Sequence, residues 1–426
     1  MKIAMRRAAA RLGAAAALTL ALGGCAHEPV SLEVRSAAPP AAAPIARPIA
    51  FFHPQSFRER EQPIEPYAQG YVLPLKLGEA SDRVLRETYA RLFAAPREVG
   101  SREELAALAR ADGAVALLEP TISAFDYLNA SRRMHGPYYA EVQYRFALTG
   151  ADGAAIARWT VRGFGQFDLD AELRARTKDS PPPPRGEAAI NIEAPRRAIE
   201  AATASFARSF ERVPELIRWR RGEPVAGTDV APERQTTSAL GPEQRGALAS
   251  YAGAFALRAE RAPIPKPPKD LSEEAAAAEP NLVAVRLTLE NASTHRLALD
   301  PADIEWHAGS EVPLEPLPPQ VAAALITRLP FGMVVAPGVG VAALPALFAA
   351  LVSAAELERH RHEFAAWSDA VSAETLADGI AAGGAQRSGV VYFPKLPERE
   401  GGVLVVRVVD LDEALRYTVR VRMPEL

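Results

Sequence analysis

Val142-Gln143-Tyr144-Arg145-Phe146-Ala147-Leu148 alternates apolar and polar side chains, Gly150-Ala151-Asp152-Gly153 reverses the chain, and Ile156 to Phe164 returns. Period-two alternation on both sides of a glycine-bearing turn predicts a half-buried antiparallel hairpin. A sheet with one apolar face needs a second layer to cover it. Upstream, Tyr71 to Leu77 reads as a strand, and Ser81 introduces a helix with Val84, Leu85, Thr88, Tyr89, Leu92 and Phe93 on one stripe. Ser101-Arg102-Glu103-Glu104 is a capping box that starts a helix over 102–112, with Gly113 as its stop. Ala114 to Leu118 and Thr121 to Tyr127 read as one strand, interrupted or bulged at Pro120. After Pro181 to Pro184, a helical stripe of Ile199, Ala202, Phe206, Phe210 and Val213 is begun by Pro195 and closed near Pro214. Residues 48–221 are therefore expected to form an α+β domain, an antiparallel sheet with packed helices.

A chain of 426 residues exceeds what one core normally serves. Residues 222–280, with Pro265-Lys266-Pro267-Pro268 and weak periodicity, read as a Pro/Ala-rich linker, although Gly246 to Ala259 could add a helix or strand. Val283, Val285, Leu287 and Leu289 alternate with Ala284, Arg286, Thr288 and Glu290 and open a second domain, 281–426. Asn291-Ala292-Ser293 supplies a turn; Leu297 to Leu299, Ile304 to His307, Val390 to Phe393, Val403 to Val409 and Tyr417 to Met423 read as further strands. That set predicts a β-sandwich-like domain, with Thr418, Arg420 and Arg422 on the face opposite Tyr417, Val419 and Val421. Within it lies a helical apolar insertion at about 317–387. Its stretch Leu329 to Ala355 has no charged residue, but Pro330, Pro337 and Pro345 with three glycines oppose a straight membrane span and favour a buried or membrane-contacting hairpin.

The N-terminus has a clear pattern. Lys2, Arg6, Arg7 and Arg11 form a basic leader, Leu12 to Leu22 is apolar, and Leu22-Gly23-Gly24-Cys25 follows. The charge, the apolar length and the small residues match a secretory signal, and the last four residues resemble the bacterial lipobox. Residues 1–24 are expected to leave as a signal peptide. Cys25, the lipidation site, would then carry diacylglycerol and palmitate as the first residue of a periplasmic protein held on a membrane. Several acyl chains give lasting attachment, each buried methylene contributing about 0.8 kcal/mol. Ala26 follows the cysteine where lipoproteins retained at the inner membrane commonly carry aspartate, which favours the periplasmic face of the outer membrane. Residues 25–47, rich in Ala, Pro and Ser, read as a lipidated tether.

Hydrophobic residues make up 48% and charged residues 24%, ordinary for a folded chain, while 37 prolines point to extended connectors. The formal charge is −3; loss of the four leader cations from 49 basic residues leaves 45 against 52 acidic, or −7. A mildly acidic body without a Lys/Arg-rich face argues against nucleic acid, whose phosphates are neutralised by clustered cations. A single cysteine forbids an intrachain disulfide and a Cys-based zinc site.

Signs of catalysis are few. His360 and His362 stand at i and i+2, on different sides of a helix, unlike a metal-holding i, i+4 pair. His27, His53, His135, His295 and His307 have no metal-like sequence neighbours. No Gly-x-Ser-x-Gly, Ser-x-x-Lys, His-Glu-x-x-His or phosphate-loop motif occurs, and Gly163-Phe164-Gly165 reads as a bend. Arg58-Glu59-Arg60-Glu61 is a solvated run. Tyr138, Tyr139 and Trp159 are expected to fill the sheet's apolar face or rim. No catalytic, cofactor-binding or metal-ligating residue is assigned.

Residues from Tyr71 to about Trp219, with Ala111-Asp112-Gly113 before a strand and the hairpin at Gly150 to Gly153, resemble the small α+β domain of bacterial outer-membrane auxiliary lipoproteins. Such proteins serve envelope transport and assembly systems. Ser388-Gly389-Val390-Val391-Tyr392-Phe393-Pro394 through Met423 resembles the closing strands of immunoglobulin-like modules in other bacterial lipoproteins. The resemblance implies a non-enzymatic binding or scaffolding component with an envelope protein partner, and it transfers no ligand or catalytic residue. The alternative is an envelope-acting hydrolase whose site assembles only in the fold.

Overall fold

The computed structural model describes residues 29–39, 43–64, 72–101, 104, 107–108, 115–129, 138–169, 172–173, 176–177, 184, 186–230, 247–251, 254–265, 282–307, 313–326, 367–395 and 402–422. Its first half contains β1 (Ile49–Phe51), α1 (Gln55–Arg58), β2 (Gln62–Ile64), β3 (Leu73–Leu75), α2 (Leu77–Leu92) and β4 (Arg97–Glu98). These are followed by β5 (Ala116–Asn129), β6 (Tyr138–Thr149), β7 (Ala155–Phe167), α3 (Glu187–Arg212) and α4 (Pro214–Arg221). The expected hairpin is β6–β7, paired from Tyr138↔Phe167 to Thr149↔Ala155. Gly153 closes its turn at φ +82°, a backbone region that glycine enters without a Cβ penalty.

The sheet is mixed rather than antiparallel throughout. Its order is β4-β1-β5-β6-β7, and β1 lies parallel to both neighbours. All three β1 residues are buried, so that strand has no polar alternation to betray it in the sequence. The ladder between β5 and β6 shifts between Ile122 and Ala124, while Pro120 keeps its place opposite Phe146; the irregularity is at Ser123, not at the proline. Helix α2 starts one turn before Ser81, whose hydroxyl bonds back to the Leu77 carbonyl at 2.7 Å. Its stripe Val84, Leu85, Tyr89 and Leu92 is buried as expected. At the capping box, the Glu104 amide donates to Ser101 Oγ at 3.2 Å and the Gly100 amide to Glu104 Oε2 at 2.7 Å.

Helix α3 runs through Pro195 instead of beginning there. The reason lies across the interface. A Cβ on Gly163 would stand 1.9 Å from the Ala198 carbonyl oxygen, and one on Gly165 would stand 2.0 Å from that of Ala194. The two glycines are therefore strand residues that let the alanine face of α3 approach β7 at backbone distance, rather than a bend. Phe146, Trp159, Phe206 and Phe210 pack beside that contact; Phe146 and Phe206 lie 4.5 Å apart between ring centres.

The tether expectation for 25–47 fails over most of its described length. Leu32, Val34, Ser36 and Ala38 are buried and alternate with exposed neighbours. The Ser36 amide donates to Glu87 at 3.1 Å, its hydroxyl meets that of Thr88 at 2.7 Å, and the Ala37 amide donates to Thr203 at 2.9 Å. Residues 32–38 are thus an extended strap between α2 and α3. Two apolar residues at alternate positions and hydrogen bonds to both helices outweigh a composition that looked unstructured.

The second half contains β8 (Asp229–Val230), β9 (Ala247–Tyr251), β10 (Phe255–Arg261), β11 (Leu282–Asn291), β12 (Leu297–His307) and α5 (Pro319–Ile326). It ends with β13 (Gly379–Ala381), β14 (Gln386–Pro394), β15 (Val403–Asp410) and β16 (Leu415–Arg422). A four-stranded sheet, β14-β11-β10-β9, and a five-stranded sheet, β13-β12-β15-β16-β8, share one apolar core. Trp306 meets Phe393 at 5.6 Å and Phe255 meets Tyr417 at 5.3 Å between ring centres across that core. Three strands lie within 222–280, so those parts are sheet, not linker: β9 and β10 belong to the first of these sheets and β8 pairs parallel with β16. The two expected strands at 297–307 are one, with an irregularity between Leu299 and Ile304.

Within 317–387, α5 and a helical segment at 367–374 place Ala322, Ala323, Trp367 and Val371 against Val390 and Tyr392. The same range also holds β13 and the start of β14, so it is not wholly helical. The stretch Leu329 to Ala355 lies outside the described residues. Among those described, no helix is long and apolar enough to cross a membrane.

Helix α4 joins the two halves. Leu216 and Trp219 enter the first core, whereas Ile217 packs with Ala298, Val409, Leu411 and Ala414. Glu215 holds Arg416 through two contacts at 3.0 Å, and Arg221 donates to the Asp412 and Leu411 carbonyls at 2.8 and 2.9 Å.

Candidate functional site

Alternation along β6 and β7 sends Tyr144, Phe146 and Trp159 into the first core and leaves Gln143, Arg145, Arg158, Thr160 and Arg162 on the opposite face. The same rule on the five-stranded sheet buries Ile304, Val406, Val408 and Val419 and turns out Asp303, Glu305, Arg407, Arg416, Thr418 and Arg420. The two polar faces, together with Arg208 and Arg212 of α3, line a cleft of about 1160 Å³. Eight arginines and five carboxylates border it. The expectation of no basic face fails here, because arginines scattered from 145 to 420 converge only in the fold.

The charges are unevenly matched. Arg407 donates to Glu305 at 2.8 Å, Arg416 also reaches Asp229 at 2.8 Å, and Arg162 pairs with Glu315. Arg212 pairs with Asp378. Arg145 and Arg158, both exposed, make no ion pair with a described residue. A second cavity of about 620 Å³ along the β5–β7 face shares Arg145, Arg158, Trp159 and Thr160 with the cleft.

Two carboxyls on β12 titrate in opposite directions. Burial, reinforced by the Asp300 charge, pushes the Asp303 carboxyl up to about 6. Glu305 is held below the ordinary carboxylate range: burial opposes this, but the bonds from Arg407 and His307 outweigh it. Among the described residues, no histidine or cysteine borders the cleft.

Elsewhere, His53 is buried with Nδ1 2.6 Å from Asp82 and Nε2 3.4 Å from the Tyr89 hydroxyl. Despite burial, hydrogen bonds from His53 and Arg86 hold the Asp82 carboxyl down at about 2. The neighbouring Ser81 hydroxyl is committed to Leu77 and Tyr144, so this cluster presents no serine to the histidine. His295 meets Asp410 at 2.7 Å, and Ser293 Oγ donates to Asn291 instead of to that imidazole. Both clusters pin secondary-structure elements together. Sequence spacing could not show them, because 29 and 115 positions separate the partners.

Of the residues singled out from the sequence, Leu22, Gly23, Gly24 and Cys25 lie outside the described residues, as do His360 and His362. Tyr138 and Trp159 fill the first core, and Tyr139 stacks on Phe164 at 6.0 Å on the other face. No group of three or more His, Cys, Asp or Glu able to hold a metal ion occurs among the described residues. No protein-family model matches the chain, and no curated protein matches it either.

Proposed function

We propose that the chain is a lipoprotein anchored through Cys25 to the periplasmic face of the outer membrane. On this reading its body is a non-enzymatic binding or scaffolding component of an envelope transport, secretion or assembly system. We take its second half to be a β-sandwich-like module with an apolar insertion, following an α+β module that begins inside the former tether. The observation that carries the binding reading is the cleft: two sheet faces enclose guanidinium groups, two of them without an ion pair to a described carboxylate, and among the described residues no histidine or thiol lines it. The lipobox residues Leu22 to Cys25 support the anchor. The strap refines it, because Val30 already bonds β3, its amide donating to the Pro74 carbonyl at 2.8 Å. Five residues of extended chain from Cys25 reach only about 18 Å, which would hold the body close to the bilayer.

Capture of the acylated chain from crosslinked envelopes tests this reading. The wild type should bring down an envelope component that Arg145→Glu with Arg158→Glu loses, while both remain membrane-bound. Identical capture by both would remove the cleft from the function. A second reading, an envelope hydrolase, is favoured by the opposed titration of Asp303 and Glu305, a pattern that suits an acid–base pair. Release of soluble fragments from envelope glycan, abolished by Asp303→Asn, would establish it instead.

A further inference from the structure

Across β5, β6 and β7 the register sets Thr121 opposite Arg145 and Arg145 opposite Thr160, with Arg158 one rung away opposite the small Ala147. Diagonal neighbours on one sheet face lie about 7–8 Å apart, within the reach of two guanidinium stems toward a common point. Like charges so placed repel, and no described carboxylate pairs with either. Both arginines stand where the two cavities meet, with the Thr121 and Thr160 hydroxyls on the same floor and the Glu119 carboxylate at its edge, on the rung of Arg158 and beyond Ala147. A guanidinium fork matches the oxygens of phosphate in bidentate fashion, and hydroxyls can donate to the remaining oxygens.

We infer that Arg145, Arg158, Thr121 and Thr160 form a binding site for a phosphate-bearing anion, opening onto the cleft between the two halves. This deepens the binding reading and rests on it. The strap packs against α2 and α3, on the opposite face of the first sheet from these residues. The source of the phosphate, a soluble polyanion or a lipid headgroup, is therefore separated by the assay and not assumed.

Titration of the full chain carrying Cys25→Ser with inorganic tripolyphosphate provides the first arm. Flotation with phosphatidylcholine vesicles, with and without phosphatidic acid, provides the second. Saturable tripolyphosphate binding is expected, weakened about tenfold or more by Arg145→Gln with Arg158→Gln and unchanged by Arg258→Gln on the far sheet. Arginine-dependent flotation only with phosphatidic acid would assign the same site to a headgroup. Thermal melts of the variants should match wild type, since both side chains are exposed. Absence of binding in both arms, or binding insensitive to the double variant, would overturn the inference. If phosphate binding fails while the cleft variants still lose their crosslinked partner, the ligand class is wrong and the binding function stands; if both fail, so does the function.

Discussion

Asp303 and Asp82 are carboxyls that burial raises, yet they end on opposite sides of the ordinary value because, among the described residues, only Asp82 receives hydrogen bonds. Asp82 receives bonds from His53 and Arg86; its contribution to stability is present above the unfolded carboxyl value and lost as pH falls toward about 2. Asp303 faces Asp300 and Glu305 on its own strand, Arg407 on β15 and Arg416 on β16, and keeps its proton to about 6. The folded chain then binds more protons than the unfolded chain between the two pKa values, so stability falls as pH rises through that window. Asp303→Asn should therefore raise unfolding free energy by roughly 1–2 kcal/mol near pH 7.5 and by close to nothing near pH 4. Denaturant titration at the two pH values measures this, and equal stability of both chains near pH 7.5 would contradict it. None of this was legible in the sequence, where Asp303 is one acid in a turn-like Asp-Pro-Ala-Asp run and its arginine neighbours lie about a hundred positions away.

At the level of elements, periodicity told most where one face is buried. The β6–β7 hairpin and the α2 stripe lie where alternation and helical spacing placed them. Three elements escaped. Strand β1 is three buried residues long, the strap hides Leu32 and Val34 in an Ala/Pro-rich run, and β12 was split by its own irregularity. The glycine pair on β7 was misread for a related reason: a missing side chain has no period, and its partner is the backbone of α3. Gly163→Val should drive a side chain into Ala198 and Ala202, where the nearest atoms are backbone at 1.9 and 2.4 Å. The expected cost is about 3 kcal/mol or more, read as a lowered midpoint in thermal or chemical unfolding. A variant as stable as wild type would mean that α3 does not pack on β7 in this way.

For the whole molecule, the useful information lay in the polar faces of the strands. Gln143 and Arg145 on β6 and Thr418 and Arg420 on β16 could be assigned outward from sequence, but not toward each other. That juxtaposition depends on α4, which places one apolar side in each half and clasps the 411–416 turn through Glu215, Arg218 and Arg221. Such contacts join the halves through burial and charge-assisted bonds rather than through the chain alone. The proposed function as a whole depends on Cys25, since a lipid there would account for the basic and apolar leader and, with the short span before Val30, would hold the body at a membrane. Metabolic labelling with a radioactive fatty acid, followed by membrane fractionation, compares the wild type with Cys25→Ser most directly. The account predicts label on the wild type in the outer-membrane fraction, and an unlabelled variant released from membranes. Equal labelling of the two chains, or a wild type that takes up no label, would contradict it.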